Sequence, residues 1–328
     1  MIESLSIRNF KVLRDVDFAL QPLTVIVGPN ASGKSSILQA IAMISGWLTD
    51  SRPNIFQETW RPDLLRSRNS AGPAQISLQA KINAEQFHFK LDLVTLIHAN
   101  HGDRWLTWNY TLLNLDPKRL AAPSFPKSTS LILPSNGDGL SSILAGLRLE
   151  HPAQFDRIVN QLKAVVTNLT NIRARRAQVG PNNVGDELLF DLKGAEGIPA
   201  SAVSEGTLLT LGVLAALSTG SSPQVVLIDD LERGLHPKAL GNYIEQLRIL
   251  QKQDPELQII ATSHSPYLLD YLRAEEVLLT SLDENGYTVV KSLTDHPDYE
   301  RWKEVMGPGE FWSTVGEDWI TKEKKATA

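Results

Sequence analysis

The stretch GPNASGKSS, Gly28 to Ser36, constrains this chain more than any other. It follows the apolar run Leu23, Val25, Ile26, Val27 and precedes Ile37, Leu38, Ile41 and Ile44 at helical spacing, so the order is strand, glycine-rich loop, helix. In that context G-x-x-x-x-G-K-[ST] is a phosphate site rather than a string match. Gly28 and Gly33 let the backbone wrap a polyphosphate closely, bringing a ring of N–H donors and the positive end of the following helix against its charge. The cradle comprises Asn30, Ala31, Ser32, Gly33, Lys34, Ser35 and Ser36. Lys34 is expected to reach the β and γ phosphates, and the Ser35 hydroxyl to complete the shell of a magnesium ion. The ligand implied is a nucleoside triphosphate with Mg2+.

Composition then excludes several classes. With 328 residues and 42% apolar content, the chain can bury a sizeable core as one large domain or two. A formal net charge of −5 gives no overall basic character, so contact with DNA or RNA needs a local patch. The candidates are Arg173, Arg175, Arg176 and the group Arg61, Arg66, Arg68, read first as a solvated or salt-bridged face and second as phosphate contacts. Absence of cysteine removes disulfides and thiolate metal sites and fits a reducing cytosol. The opening MIESLSIRNFK has no apolar signal region, and no apolar run approaches the roughly 20 residues of a membrane span. A cytoplasmic chain without a membrane partner is the expectation.

Periodicity places strands at Ile2–Phe10 and Val16–Leu20, the helix after the phosphate loop to about Trp47, and an antiparallel hairpin from Ile76–Ile82 and Gln86–Val94. A third strand is expected within Trp105–Leu115, and a mobile surface loop from about Ala121 to Gly139. Helices are expected over Leu140–Leu149 and Pro152–Arg173. A strand at Glu187–Leu192, a helix at Thr207–Leu217, the buried-type strand Val225–Ile228, a helix from Pro237, the strand Gln258–Thr262 and two short strands ending near Lys291 follow. Alternating strands and helices imply a mostly parallel sheet.

Three further pieces bear on chemistry. The strand Val225–Ile228 ends in Asp229, a carboxylate where a magnesium ion needs one, and Asp230 follows as a group able to orient or deprotonate water. Ser204-Glu205-Gly206-Thr207 opens a helix, presenting a hydroxyl, a glycine backbone and a helix N-terminus as a second anion site; an ordinary N-cap reads the same way. In Ala261-Thr-Ser-His264-Ser-Pro266 a histidine stands just past a strand end, where capping or packing is the commoner role.

In this order, the phosphate loop, SEGT, VVLIDD, ERGLHP and ATSHSP resemble the ATP-binding-cassette (ABC) class of ATPases. "IRNFK", "VSEGTLLTLGVLAAL" and "LIDDLERGLHP" followed by "ATSHSP" look like its RecF, SMC and overcoming-lysogenization-defect (OLD) branch, which includes stand-alone bacterial ATPases. The resemblance covers residues 1 to 50 and 185 to 281. It implies an α/β fold: an ABC-type ATPase head with a mostly parallel sheet around the P-loop, plus an antiparallel β lobe and a small helical insertion. The expected division is 1–50 and 181–292 as ATPase core, 51–180 as inserted lobe and helix pair, and 293–328 as an aromatic tail.

The resemblance also implies a head-to-tail homodimer with two ATP molecules at its interface. Ser204 and Gly206 of one subunit would contact the γ-phosphate held by Lys34 of the other, and His264 would sense that phosphate. Gln57 is the Q-loop candidate, and Arg8 and Lys11 stand where related chains touch nucleotide. The branch usually carries Glu where this chain has Asp230 and Pro where it has Leu231, so slow hydrolysis is expected, with Glu232 as a compensating acid. No coiled-coil arm and no Toprim nuclease domain are expected. His98 and His101 have metal spacing but stand without a third ligand and read as a solvated loop. Trp302, Met306, Phe311, Trp312, Trp319 and Ile320 crowd the last segment, packing on their own domain or anchoring a partner. The functional expectation is an ATPase subunit controlling a separately encoded effector, a nuclease or toxin, in bacterial anti-phage defence. The alternatives are a RecF-like ATP-dependent DNA clamp and, less favoured, a transporter cassette.

Overall fold

The computed structural model describes residues 1–48, 65–67, 70, 72–82, 85–93, 98–99, 109–126, 130–179, 183–222 and 224–321. In chain order come β1 (Ile2–Phe10), β2 (Leu13–Ala19), β3 (Leu23–Val27), α1 (Lys34–Leu48), β4 (Gln75–Ile82), β5 (Glu85–Asp92), β6 (His98–Ala99) and β7 (Asn109–Leu113). Then follow α2 (Pro117–Ala121), α3 (Leu140–Glu150), α4 (Pro152–Val165), β8 (Leu169–Gln178), β9 (Val184–Leu192), β10 (Ala195–Pro199), α5 (Glu205–Thr219), β11 (Gln224–Ile228) and α6 (Pro237–Gln253). The chain ends with β12 (Leu257–Ser263), α7 (Pro266–Leu269), β13 (Val277–Leu282), β14 (Thr288–Ser292), α8 (Tyr299–Trp302), α9 (Pro308–Val315) and α10 (Asp318–Thr321). Two compact units result: Met1–Thr111, Pro223–Leu231 and Glu256–Ala328 form the first, Leu112–Ser222 and Glu232–Pro255 the second.

The first unit is built on a sheet of order β14-β13-β3-β12-β11-β7. β3 is parallel to β12 on one side and to β13 on the other, and β12 is parallel to β11. β3, β11 and β12 are buried throughout, as strands covered on both faces must be, which is why they read as near-continuous apolar runs. A second, antiparallel sheet runs β2-β1-β4-β5-β6. Its register sets Leu5 opposite Phe18 and Leu78, and Ile7 opposite Val16 and Ile76, so one face is apolar. A one-residue slip would turn that face to water. The expected hairpin is therefore the outer half of a sheet that the first two strands begin.

In the second unit β10-β9-β8 form an antiparallel sheet beside the helices. α4 buries Phe155, Ile158, Val159, Leu162 and Val165 along one stripe, while α5 is buried all round from Gly206 to Leu217, the mark of a central helix.

Two sequence expectations need correction. The helix expected to Arg173 ends at Val165, and Leu169–Gln178 is a strand. β-branched Val165, Val166 and Thr167 weaken the helix there, and the alternation that follows pairs with β9. The strand within Trp105–Leu115 is Asn109–Leu113, at the edge of the six-stranded sheet rather than in the antiparallel lobe. Within the expected surface loop, Ser124 exchanges backbone hydrogen bonds with Asp186 at 2.9 and 2.7 Å, and Leu133 N–H donates to Thr219 Oγ1 at 3.2 Å. Gln57, Arg61, Arg68 and His101 lie outside the described residues, as does the His98 side chain. Among the described residues no helix is long and apolar enough to cross a membrane.

Candidate functional site

The phosphate loop leaves the C-terminal end of β3 with parallel strands on both sides, the place where open α/β sheets bind ligands. Gly28 has φ 153° and Gly33 φ 99°, and Ala31 is left-handed at 63°. Both glycines are also demanded by space. A Cβ on Gly28 would fall 2.2 Å from the Thr280 carbonyl oxygen, and one on Gly33 2.2 Å from Thr288 Oγ1 on the neighbouring strand of the same hairpin.

Those two threonines are the residues sequence reasoning missed. Thr280 Oγ1 on β13 donates to Val27 O at 3.0 Å and shares a hydrogen bond with Ser32 Oγ at 2.6 Å. Thr288 Oγ1 on β14 donates to Ser32 O at 2.8 Å. All three side chains are buried, so the hairpin β13–β14 holds the loop by hydroxyls rather than by apolar packing. The available signal was a threonine in each of two strands near the chain's end, too common to be read alone.

Lys34, 5% exposed, donates Nζ hydrogens to Gly28 O at 2.9 Å and Pro29 O at 2.8 Å. Ser35 Oγ lies 3.0 and 3.2 Å from the two Asp229 carboxylate oxygens, and Thr262 Oγ1 donates to the same carboxylate. Loop, first helical turn, β11 end and β12 end thus converge. Thr262 also takes the Asp230 N–H at 2.9 Å, and its carbonyl takes the Leu231 N–H at 3.0 Å, fixing the turn that leaves β11. Asp230 is left-handed at φ 54°, and its Oδ1 lies 3.6 Å from His264 Nε2.

The residues present fit a magnesium-bound polyphosphate. Two glycines that cannot carry a Cβ line the cradle, a nearly buried ammonium stands in it, and a hydroxyl–carboxylate pair supplies the hard oxygen donors Mg2+ prefers. Among the described residues no group of three or more His, Cys, Asp or Glu stands together as a metal cluster.

The remaining sequence candidates fall elsewhere. Arg8 pairs with Asp15 at 2.9 Å and Asp17 at 2.6 Å. Lys11 reaches Gln39 of α1 and stands 5.8 Å over the Phe10 ring; burial holds its ammonium below the usual lysine range. Ser204, Gly206 and Glu232 belong to the second unit. There Ser204 is the N-cap of α5, accepting from Thr207 N–H at 3.3 Å. Gly206 has a local reason to be glycine: a Cβ would fall 1.9 Å from Gly234 O, so the SEGT helix start is packed on the ERGL turn. Glu232 lies near the fully buried Tyr243, whose phenol is pushed far above its ordinary range by burial and then by that carboxylate. Arg173, Arg175 and Arg176 reach Asp191 at 2.6 Å, Glu187 at 2.7 Å and Asp186 at 3.2 Å, the salt-bridged reading of that patch.

A phosphate loop closing a buried parallel strand, with a neighbouring strand that ends in the carboxylate facing its serine, defines a P-loop ATPase. Residues 1–95 match the family described as "AAA ATPase domain", and residues 121–270 the one described as "AAA domain, putative AbiEii toxin, Type IV TA system". The chain is 26% identical over 342 aligned residues to the OLD nuclease of Thermus scotoductus, covering 90% of this chain and 65% of the relative. It is 28% identical over 109 residues to the Septu protein PtuA of Bacillus thuringiensis, covering 31% of this chain and 27% of that one. The chain therefore spans less than two thirds of the length of either relative. The fold is similar to that of an SMC head bound to the C-winged helix domain of ScpA, with TM-score 0.59, 16% identity, and 89% of this chain and 97% of that chain covered. The chain is a P-loop ATPase, similar in sequence to an OLD nuclease and in fold to an SMC head.

Proposed function

We propose that the chain binds ATP with Mg2+ at the loop Asn30–Ser36, hydrolyses it slowly, and works as a head-to-tail homodimer that controls a separately encoded effector in bacterial anti-phage defence. The observation that carries the reading is the Ser35–Asp229–Thr262 junction beside Lys34, which gathers the hydroxyl, carboxylate and ammonium that a triphosphate needs. Magnesium, when bound, would offset charge on the phosphate oxygens. The loop N–H groups bind and orient the triphosphate, and Lys34 moves from loop carbonyls to phosphate. Asp230 accepts a proton from water, and His264 beside it orients that carboxylate and senses the terminal phosphate. Asp230 is one methylene shorter than Glu, which lengthens its reach to water and slows the step. Ser204 and Gly206 of a second copy supply the donors that complete the site.

Support for the cellular role comes from the family description that names a toxin–antitoxin system, and from relatives called OLD nuclease and Septu protein PtuA. The test is to express the chain with its neighbouring reading frames, purify it with ATP and Mg2+, and identify what accompanies it. A stoichiometric nuclease or toxin, released when Lys34→Ala abolishes ATP binding, is the expected result. Recovery with DNA alone, and turnover stimulated by it, would put the RecF-like clamp in its place.

A further inference from the structure

The aromatic end of the chain is seated on α7 through one side chain. Asp270, the residue after α7, accepts on Oδ1 the backbone N–H groups of Gly309, at 2.9 Å, and Glu310, at 3.3 Å. The approach of α9 leaves no room for side chains: a Cβ on Gly309 would fall 2.1 Å from Pro266 O and 2.7 Å from Asp270 Oδ1, and one on Gly307 2.8 Å from the same oxygen. α9 is also fixed by Phe311, fully buried and packed edge-on against His296 and Tyr299 at centroid distances of 5.0 and 5.7 Å. A helix as short as Pro266–Leu269 has no stability of its own, so its position is set by what packs on it.

Upstream, the chain is fixed too. Ser263 ends β12 opposite Val27, the residue before the phosphate loop, and its Oγ accepts the Ser265 N–H at 3.0 Å. Between these two anchors, Ser263 in the sheet and α7 under α9, stands His264, with Nε2 3.6 Å from Asp230 Oδ1.

We propose that Asp270 and Gly309 are positioning residues for His264: the C-terminal segment clamps α7, and the clamp holds the imidazole in register with Asp230. The inference rests on the role given to His264 above. It assigns the tail a task in turnover, although that tail lies outside the residues the two family models match. A single oxygen of Asp270 takes both N–H groups, so Asn at this position can keep the clamp with its carbonyl oxygen while Ala cannot.

The test is steady-state ATP turnover by the full chain. Asp270→Ala should lower kcat by about 10- to 100-fold, the cost of a misplacement of about an ångström, with KM changed less than about twofold. Asp270→Asn should restore most of it. Gly309→Ala, which keeps Asp270 but pushes on Pro266, should lower kcat in the same way. In a His264→Ala background, Asp270→Ala should add nothing. Wild-type turnover by Asp270→Ala, an equal defect in Asp270→Asn, a matching rise in KM, or full additivity with His264→Ala would each overturn the clamp. A second readout does not depend on hydrolysis: the His264 imidazole resonance should move in Asp270→Ala and return in Asp270→Asn. An unmoved resonance overturns the inference, whereas a moved one in a chain without ATP turnover overturns only the functional reading.

Discussion

At Asp230 the backbone and the chemistry meet. Its φ of 54° is a conformation that Asp and Asn accept far more readily than longer side chains, because their short polar groups hydrogen-bond locally. The strand end thus gives a physical reason for Asp at this position. Asp230→Asn keeps that backbone and removes the proton acceptor, so ATP turnover should fall at least about 100-fold while ATP affinity and thermal midpoint stay near wild type; turnover assay and calorimetry check both. Asp230→Glu should lower stability by several tenths of a kcal/mol to about 1 kcal/mol, read as a lower midpoint.

At the scale of elements, the hairpin β13–β14 and the segment after it act on the site without containing any of its expected residues. Thr280→Val leaves the buried Ser32 hydroxyl without the Thr280 oxygen, which should cost about 1–3 kcal/mol and weaken ATP binding, while Thr280→Ser keeps the bond and should restore both. Chemical denaturation and nucleotide titration measure the pair. The tail has its own pH dependence. His296 packs against Phe311 and Trp319, and its Nδ1 accepts the Asp298 N–H at 3.0 Å. Burial holds this imidazole below its ordinary pKa, with Asp298 pulling weakly the other way. Its stabilising contribution is therefore complete above the ordinary histidine value of about 6.5 and falls as pH drops through that value toward the lower folded one. His296→Phe should accordingly lose less of its thermal midpoint than wild type between about pH 7.5 and 5.5, followed by tryptophan fluorescence.

For the whole molecule, the expected state with ATP is a pair of chains. Asp230→Asn with ATP and Mg2+ should elute at twice the mass found without nucleotide in light scattering, and Lys34→Ala should not. The arginines on β8 bear on the rival reading. Each is matched by a carboxylate on β9, so the patch carries little net positive field for a nucleic acid. Changing Arg173, Arg175 and Arg176 to Ala should lower the melting temperature and leave turnover indifferent to added DNA; DNA stimulation lost in that triple variant would favour the clamp.

Local patterns in the sequence were enough for the phosphate loop, the carboxylate strand and the parallel core, because each is encoded within a few consecutive residues: apolar runs for buried strands, glycines at fixed spacing, a serine and an aspartate at element ends. Helical spacing misled beyond Val165, where Leu169 fell in phase with α4 although the strand pairs with β9. Only the tertiary structure decided what the sequence could not encode locally. The bonds from Thr280 and Thr288 to Ser32 join residues more than two hundred positions apart, the packing of Gly206 on Gly234 joins two turns, and Asp270 caps a helix far along the chain. A side chain's hydrogen-bond partner across such separations is set by how sheets and helices stack, and that stacking leaves no periodicity in the sequence to read.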